Sequence, residues 1–229
     1  MDLVYICRSG DNEELRYSIR SMVENFPHDN IWVVGGKPDW YIGNHIPIPQ
    51  GRIKYENAQK NLKAIVESKE ISEKFVIVND DFYAIKPIKR VYTFVSGLLY
   101  DKLQSYSSRH PSSYYTSLIG LTYKRIKQLL GNDFVPMDYD IHVPMVYEKE
   151  KLKSLVKYTL LWRSLYGNIY DVPYKIMKDV KVYRYNREAA LQEILDREVS
   201  YMSSDDESFE YLKEELLGKM FPNPSIYEG

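Results

Sequence analysis

The chain has 229 residues, 44% of them hydrophobic and 28% charged, with 31 basic against 32 acidic side chains and a formal net charge of −1. That apolar fraction excludes intrinsic disorder, and the charge balance excludes attachment to nucleic acid by bulk charge, though not a local basic patch. One cysteine, Cys7, excludes an internal disulfide framework and any cysteine-based zinc cluster. No stretch approaches the roughly 20 apolar residues that span a bilayer, and Met1-Asp2-Leu3-Val4 lacks a cationic leader. The expectation is a cytoplasmic protein with one substantial core and a single domain over residues 1–229.

Asp2 to Cys7 is a short run rich in Val, Tyr and Ile, which predicts a buried strand. Asp11 and Glu14 have the spacing of a capping arrangement, and Leu15, Ile19, Met22, Val23 and Phe26 follow on one helical face. Ile31 to Val34 predicts a second strand, stopped by Gly35-Gly36-Lys37-Pro38, and a helix from about Tyr55 to Ser68 comes next. Phe75 to Val78 predicts a third strand ending in Asn79-Asp80-Asp81. Strand, helix, strand, helix, strand with short connections argues for an α/β fold with a mostly parallel central sheet. Ser105 to Ser117, with six serines, reads as a mobile loop. Beyond it the sequence predicts a helix from about Tyr115 to Leu130, closed by Gly131, then an extended segment from Asp133 to Tyr147. Helices over 148–166, 187–198 and 207–217 complete the reading, with Asn186 and Asp205 or Asp206 as caps and Gly218 as the last stop.

Asn79-Asp80-Asp81 is the sharpest chemical feature. Two carboxylates stand directly after four apolar strand residues, at the carboxyl end of a parallel strand, where open α/β sheets receive ligands. Burying them calls for neutralisation, and Mg²⁺ or Mn²⁺ bridging to a diphosphate supplies it with oxygen ligands. A turn leading into Phe82-Tyr83-Ala84 accounts for the same triplet. His142 lies among acidic neighbours and either serves as a general base or acid or is a plain surface or hydrogen-bonded core histidine, the commoner case for a lone histidine. Arg163, inside an apolar helical run, either makes a structural link or grips a phosphate. Gly35-Gly36-Lys37 allows backbone amides to approach a phosphate, or forms a plain turn. No G-x-G-x-x-G, Walker A or H-E-x-x-H pattern occurs.

In joint order these pieces resemble the Stealth-type sugar-phosphate transferases, the family of capsular polysaccharide phosphotransferases and of N-acetylglucosamine-1-phosphotransferase. Glu14 to Ser21, Ile31 to Gly36 and Pro38-Asp39-Trp40 are similar to its first block, and Lys74 to Phe82 to its second. His142-Val143-Pro144 with the helix carrying Arg163 is similar to its third. Ser204-Asp205-Asp206 and Met220 to Glu228 are similar to its closing block. The resemblance implies a GT-A-like fold with a donor-binding half, 1–98, and a more helical acceptor half, 99–229. It implies catalytic roles for His142, Arg163 and Asp80, and metal binding by Asp81 and Asp80. It adds Asp205 and Asp206 to the donor side, where Arg8, Arg16, Gly35 and Gly36 are also expected. The implied co-substrate is a UDP-type nucleotide-sugar with Mn²⁺ or Mg²⁺; the residues do not specify the acceptor, for which a glycan is the default and a hydroxymethylated DNA base of phage type also suits a compact chain. Ile6 to Asp11 and Tyr55 to Asn61 depart from the family's pattern beside the donor. Three outcomes stay open: glycosyl transfer, favoured by those departures, transfer of sugar-1-phosphate with release of UMP, and a binding module without turnover.

Overall fold

A computed structural model describes residues 1–229, which form two compact units. Unit 1 comprises Met1–Val91, His142–Tyr147 and Val180–Gly229, and unit 2 comprises Tyr92–Ile141 and Glu148–Asp179. The expected halves, 1–98 and 99–229, are a different division, because residues 142–147 and 180–229 join the first 91. The strands are β1 (Asp2–Cys7), β2 (Ile31–Gly35), β3 (Asn44–Pro47), β4 (Lys74–Val78), β5 (Phe82–Ala84), β6 (Phe94–Val95), β7 (Met145–Glu148), β8 (Lys175–Ile176), β9 (Lys181–Val182) and β10 (Tyr201–Ser204). The helices that frame them are α1 (Glu13–Asn25), α2 (Lys54–Glu67), α3 (Leu99–Arg109), α4 (Tyr114–Leu130), α5 (Lys149–Lys153), α6 (Trp162–Ile169), α7 (Arg187–Asp196) and α8 (Phe209–Leu212). None is long and apolar enough to cross a membrane.

Unit 1 is built on a five-stranded sheet of order β3-β2-β1-β4-β7, in which β1 pairs in parallel with β2 and β4, and β2 with β3. The fold is thus mixed α/β with a mostly parallel central sheet, as the sequence predicts. β2 is buried throughout, β1 in all but Ile6 and β4 in all but Lys74, which is why these strands read as continuous apolar runs. The register sets Cys7 beside Gly35 and Tyr5 beside Val78, so all three strands end on one edge. A second sheet, β5-β10-β9, joins the chain just after the acidic pair to its last third. β5 is fixed on one side by β10 and on the other by α1. Ser21 Oγ accepts from the Ala84 amide at 3.0 Å, Asn25 Nδ2 donates to the Ala84 carbonyl at 2.8 Å, and Ser18 donates to the Phe82 carbonyl.

Four expectations need correction. The cap of α1 is Asn12, whose Oδ1 accepts from the Leu15 amide at 2.9 Å, rather than Asp11. The serine-rich stretch is largely helical: Ser105, Ser107 and Ser108 lie in α3 and Ser117 in α4, which Ser113 caps. Packing of α3 on α4 overrides the weak local propensity of serine. The single helix expected over 148–166 is instead α5, a turn and α6. The closing helix runs through Gly218 by way of a π-turn, Lys213–Leu217, and ends at Met220.

In unit 2 a buried polar cluster holds the segment before His142. Lys102 Nζ lies 2.9 Å from Asp138 Oδ2, Ser96 Oγ donates to the same carboxylate at 2.5 Å, and Asn168 bonds both the amide and the carbonyl of Met137 at 2.8 Å.

Candidate active site

Three strand ends bring the site together in unit 1. β1 delivers Cys7 and Arg8, β2 delivers Gly35 and Gly36, and β4 delivers Asn79, Asp80 and Asp81. Gly35 holds φ +114°, and a Cβ there would stand 2.3 Å from the Cys7 carbonyl and 2.6 Å from Asn61 Nδ2. A Cβ on Gly36 would meet Ser9 at 2.4 Å. These glycines therefore let the β1 exit loop pack closely on β2, and the Gly36 amide is spent on the Cys7 carbonyl at 3.1 Å.

The carboxylates are held by different partners. Asp80 Oδ2 accepts from Asn12 Nδ2 at 2.7 Å, so the residue that caps α1 also positions the first acid. Asp81 Oδ2 accepts from Lys181 Nζ at 2.8 Å and from Ser203 Oγ at 3.3 Å, while its Oδ1 is buried without a partner. A third carboxylate, Glu14 of α1, is 7% exposed and accepts from Ser204 Oγ at 3.3 Å; that hydroxyl also pairs with Tyr83 OH at 2.9 Å. Burial, then the charges of Asp80, Asp206 and Asp81, push the Glu14 carboxyl up to about 7. Burial and the neighbouring Asp81 push Asp80 up to about 6. A cluster of like charges this poorly compensated is costly in a purely structural role, and carboxyls near neutrality suit proton transfer or a cationic contact.

The other expected residues fall in several places. His142 is half-buried in unit 1, its ring edge-on to Phe82 at 6.1 Å between centroids, and Phe82 directly follows Asp81. Arg8 makes a loose, exposed pair with Asp206 at 3.8 Å. Asp205 closes a local turn, with its Oδ1 accepting from the Ser208 amide at 2.8 Å. Arg16 is taken up by the C-terminal tail, pairing with Glu228 at 3.0 Å while its guanidinium lies 4.5 Å over Trp40. Arg163 belongs to unit 2, is 5% exposed, and donates from Nε to the Tyr139 carbonyl at 3.3 Å. Asn12, Glu14 as an acid of the site, Lys181 and Ser203 are the residues that sequence reasoning missed.

The donor set does not fit a resident divalent ion. Such an ion needs several oxygen ligands that face it together. No group of three or more His, Cys, Asp or Glu side chains gathers to hold one. The Asp81 oxygen that has partners is already bonded to an ammonium, and the other lies buried.

No family model and no curated protein matches the chain. The resemblance to the Stealth-type transferases therefore stands on the quoted residues alone. Forty-five chains of known structure are similar to this one. The galactosyltransferase LgtC, solved with donor and acceptor sugar analogs, is 11% identical, with 98% of each chain covered and a TM-score of 0.48. Mouse xyloside xylosyltransferase 1, in its apo form, is 8% identical over 90% of this chain and 98% of its own, with a TM-score of 0.40. The 4-diphosphocytidyl-2C-methyl-D-erythritol synthase of Anaerococcus prevotii is 8% identical over 78% and 87%, with a TM-score of 0.36. At these values the likeness concerns the path of the backbone and carries nothing about activity.

Proposed function

We propose that this chain is a nucleotide-sugar-dependent glycosyltransferase that moves a sugar from a UDP-type donor to a hydroxyl acceptor, a glycan or a hydroxymethylated DNA base. The observation that carries the reading is the carboxylate pair at the end of β4, beside the end of β1 and one strand away from the end of β2, where a parallel sheet receives its ligand. The sequence resemblance, which includes the same pair, supports a nucleotide-sugar donor, and the departures at Ile6 to Asp11 and Tyr55 to Asn61 favour glycosyl transfer.

In this reading the acceptor oxygen attacks the anomeric carbon as the bond from that carbon to the diphosphate oxygen breaks. The electron pair of that bond leaves with UDP, and the acceptor proton passes to His142. Lys181 and Arg8 supply positive charge where the leaving diphosphate gains negative charge, and Asp80 and Asp81 hold the polar wall against which the donor is oriented. Asp205 and Asp206 are assigned the rim of the donor side.

Incubation with UDP-, GDP- and CMP-sugars, with and without Mn²⁺, tests the reading by its products. Release of UDP supports glycosyl transfer. Release of UMP marks transfer of sugar-1-phosphate, and binding of a donor without turnover marks a binding module. A salt-sensitive gel shift with duplex DNA selects the DNA acceptor, and its absence at low salt selects the glycan.

A further inference from the structure

The Lys181–Asp81 pair is fixed by three strands rather than by two flexible side chains. In the β10–β9 register Ser203 lies beside Lys181, and in the β10–β5 register the same Ser203 lies beside Phe82. The Ser204 amide donates to the Asp81 carbonyl at 3.2 Å, and the Ser203 amide to the Val180 carbonyl at 3.1 Å. β10 thereby clamps the residues around Lys181 and those around Asp81 onto its two sides. Both side chains are only 15% exposed, and Ser203 Oγ adds a bond to the same carboxylate oxygen. A pair so placed is screened far less than an ion pair on the open surface, whose net contribution is near zero.

We propose that the Lys181 ammonium is the built-in cation of this acidic pair, standing in the place that a divalent ion takes in a metal-dependent donor site. Three consequences follow from the geometry. The Asp81 oxygen with polar partners is not available to a metal while Lys181 holds it. The ammonium, with three donors on a long stem, is able to hold Asp81 and meet a diphosphate oxygen at once. The charge of the site then depends on strand β9, which lies 100 residues from Asp81 in the chain. The diphosphate contact rests on the glycosyltransferase reading; the occupancy of Asp81 does not.

Mn²⁺ binding without any nucleotide, followed by electron paramagnetic resonance, tests the occupancy directly. The wild-type protein is expected to bind no Mn²⁺ at millimolar concentration, Lys181→Arg to behave like it, and Lys181→Met to gain a site that the further change Asp81→Asn removes. Wild-type binding that Lys181→Met leaves unchanged or weakens overturns the proposal. Should Lys181→Met prove unfolded by circular dichroism, Lys181→Gln takes its place with the same expected gain of Mn²⁺ binding, and its failure to gain any overturns the proposal. Calorimetry with UDP separates the two claims. UDP affinity insensitive to EDTA in the wild type, and lowered at least about tenfold in Lys181→Met, supports the ammonium as the phosphate contact. UDP affinity abolished by EDTA overturns it. Failure of UDP and UDP-sugars to bind under any condition would count against the glycosyltransferase reading, with the Mn²⁺ result still deciding the role of Lys181.

Discussion

The two units use buried polar groups in opposite ways. Unit 2 carries twelve basic against eight acidic side chains, and its buried cluster is closed on itself. Asp138 has Lys102, Ser96 and the Asp140 amide, and Asn168 has both polar groups of Met137. Unit 1 carries nineteen basic against twenty-four acidic side chains and concentrates three carboxylates at one strand edge. Two of those carboxyls are pushed up toward neutrality, Glu14 by burial and the charges of Asp80, Asp206 and Asp81, and Asp80 by burial and the charge of Asp81. A satisfied cluster contributes stability; an under-compensated one is retained for what it binds. That contrast separates scaffold from site.

The largest expected effect breaks the scaffold. Asp138→Ala leaves the Lys102 ammonium largely buried without its counter-charge and should cost about 3–5 kcal/mol, read by urea unfolding. A loss near zero would mean that unit 2 does not depend on Asp138 and would blur the contrast.

Next comes the site. Asp81→Asn should lower donor turnover on the order of 100-fold through misplacement of Lys181, measured well below the variant's melting temperature, which should fall by less than that of Asp138→Ala because the amide oxygen can still accept from Lys181. The turn reading of Asn79-Asp80-Asp81 requires the reverse, activity near wild type with any loss following stability.

The third prediction concerns pH. The Glu14 carboxyl is raised in the folded protein from an ordinary value of 4.5 to about 7, so the folded state holds this proton more tightly than the unfolded chain. Its stabilising contribution is present below the unfolded value and is lost as pH rises to about 7, amounting to about 3 kcal/mol at full ionisation. Wild-type protein should therefore be less stable at about pH 8 than at about pH 5, and Glu14→Gln should remove much of that difference. Denaturant midpoints at the two pH values check it. An equal slope in both proteins would mean that Glu14 is not one of the uncompensated acids.

The smallest effect is at the rim. Arg8→Ala breaks only an exposed pair with Asp206, so stability should change by less than about 0.5 kcal/mol. A rise in donor KM with no change in melting sharpens the assignment of Arg8 to the ligand rather than to the fold.

The main sheet is legible in the sequence because its strands are buried on both faces and read as apolar runs. β5 and β9 are not, being two or three residues long and defined by pairing with β10, more than 100 residues from β5. Asp80, Asp81 and His142 are legible as chemistry-bearing residues, and the structure sets His142 against Phe82, the neighbour of Asp81. Gly35, Gly36, Arg16 and Asp205 stand out by motif, yet close backbone packing, the C-terminal tail and a local turn account for their contacts. Glu14 does leave a signal in the sequence. Glu14, Ser18, Ser21 and Asn25 recur at helical spacing beside the apolar face of α1, and all four are buried. A polar stripe inside an amphipathic helix marks polar partners to come, here Ser204, Tyr5 and the backbone of β5. Lys181 leaves none, since its meaning lies wholly in strand pairing.

The central claim is that the ends of β1, β2 and β4 form the donor site. Titration of isotopically labelled protein with a UDP-sugar, followed by amide chemical shifts, tests it most directly. The account predicts shifts concentrated at Arg8 to Asn12, Gly35 and Gly36, Asn79 to Asp81, Lys181 and Ser203 to Asp206, and their loss in Asp80→Asn. Saturable shifts that avoid Asn79 to Asp81, or that persist unchanged in that variant, would contradict it.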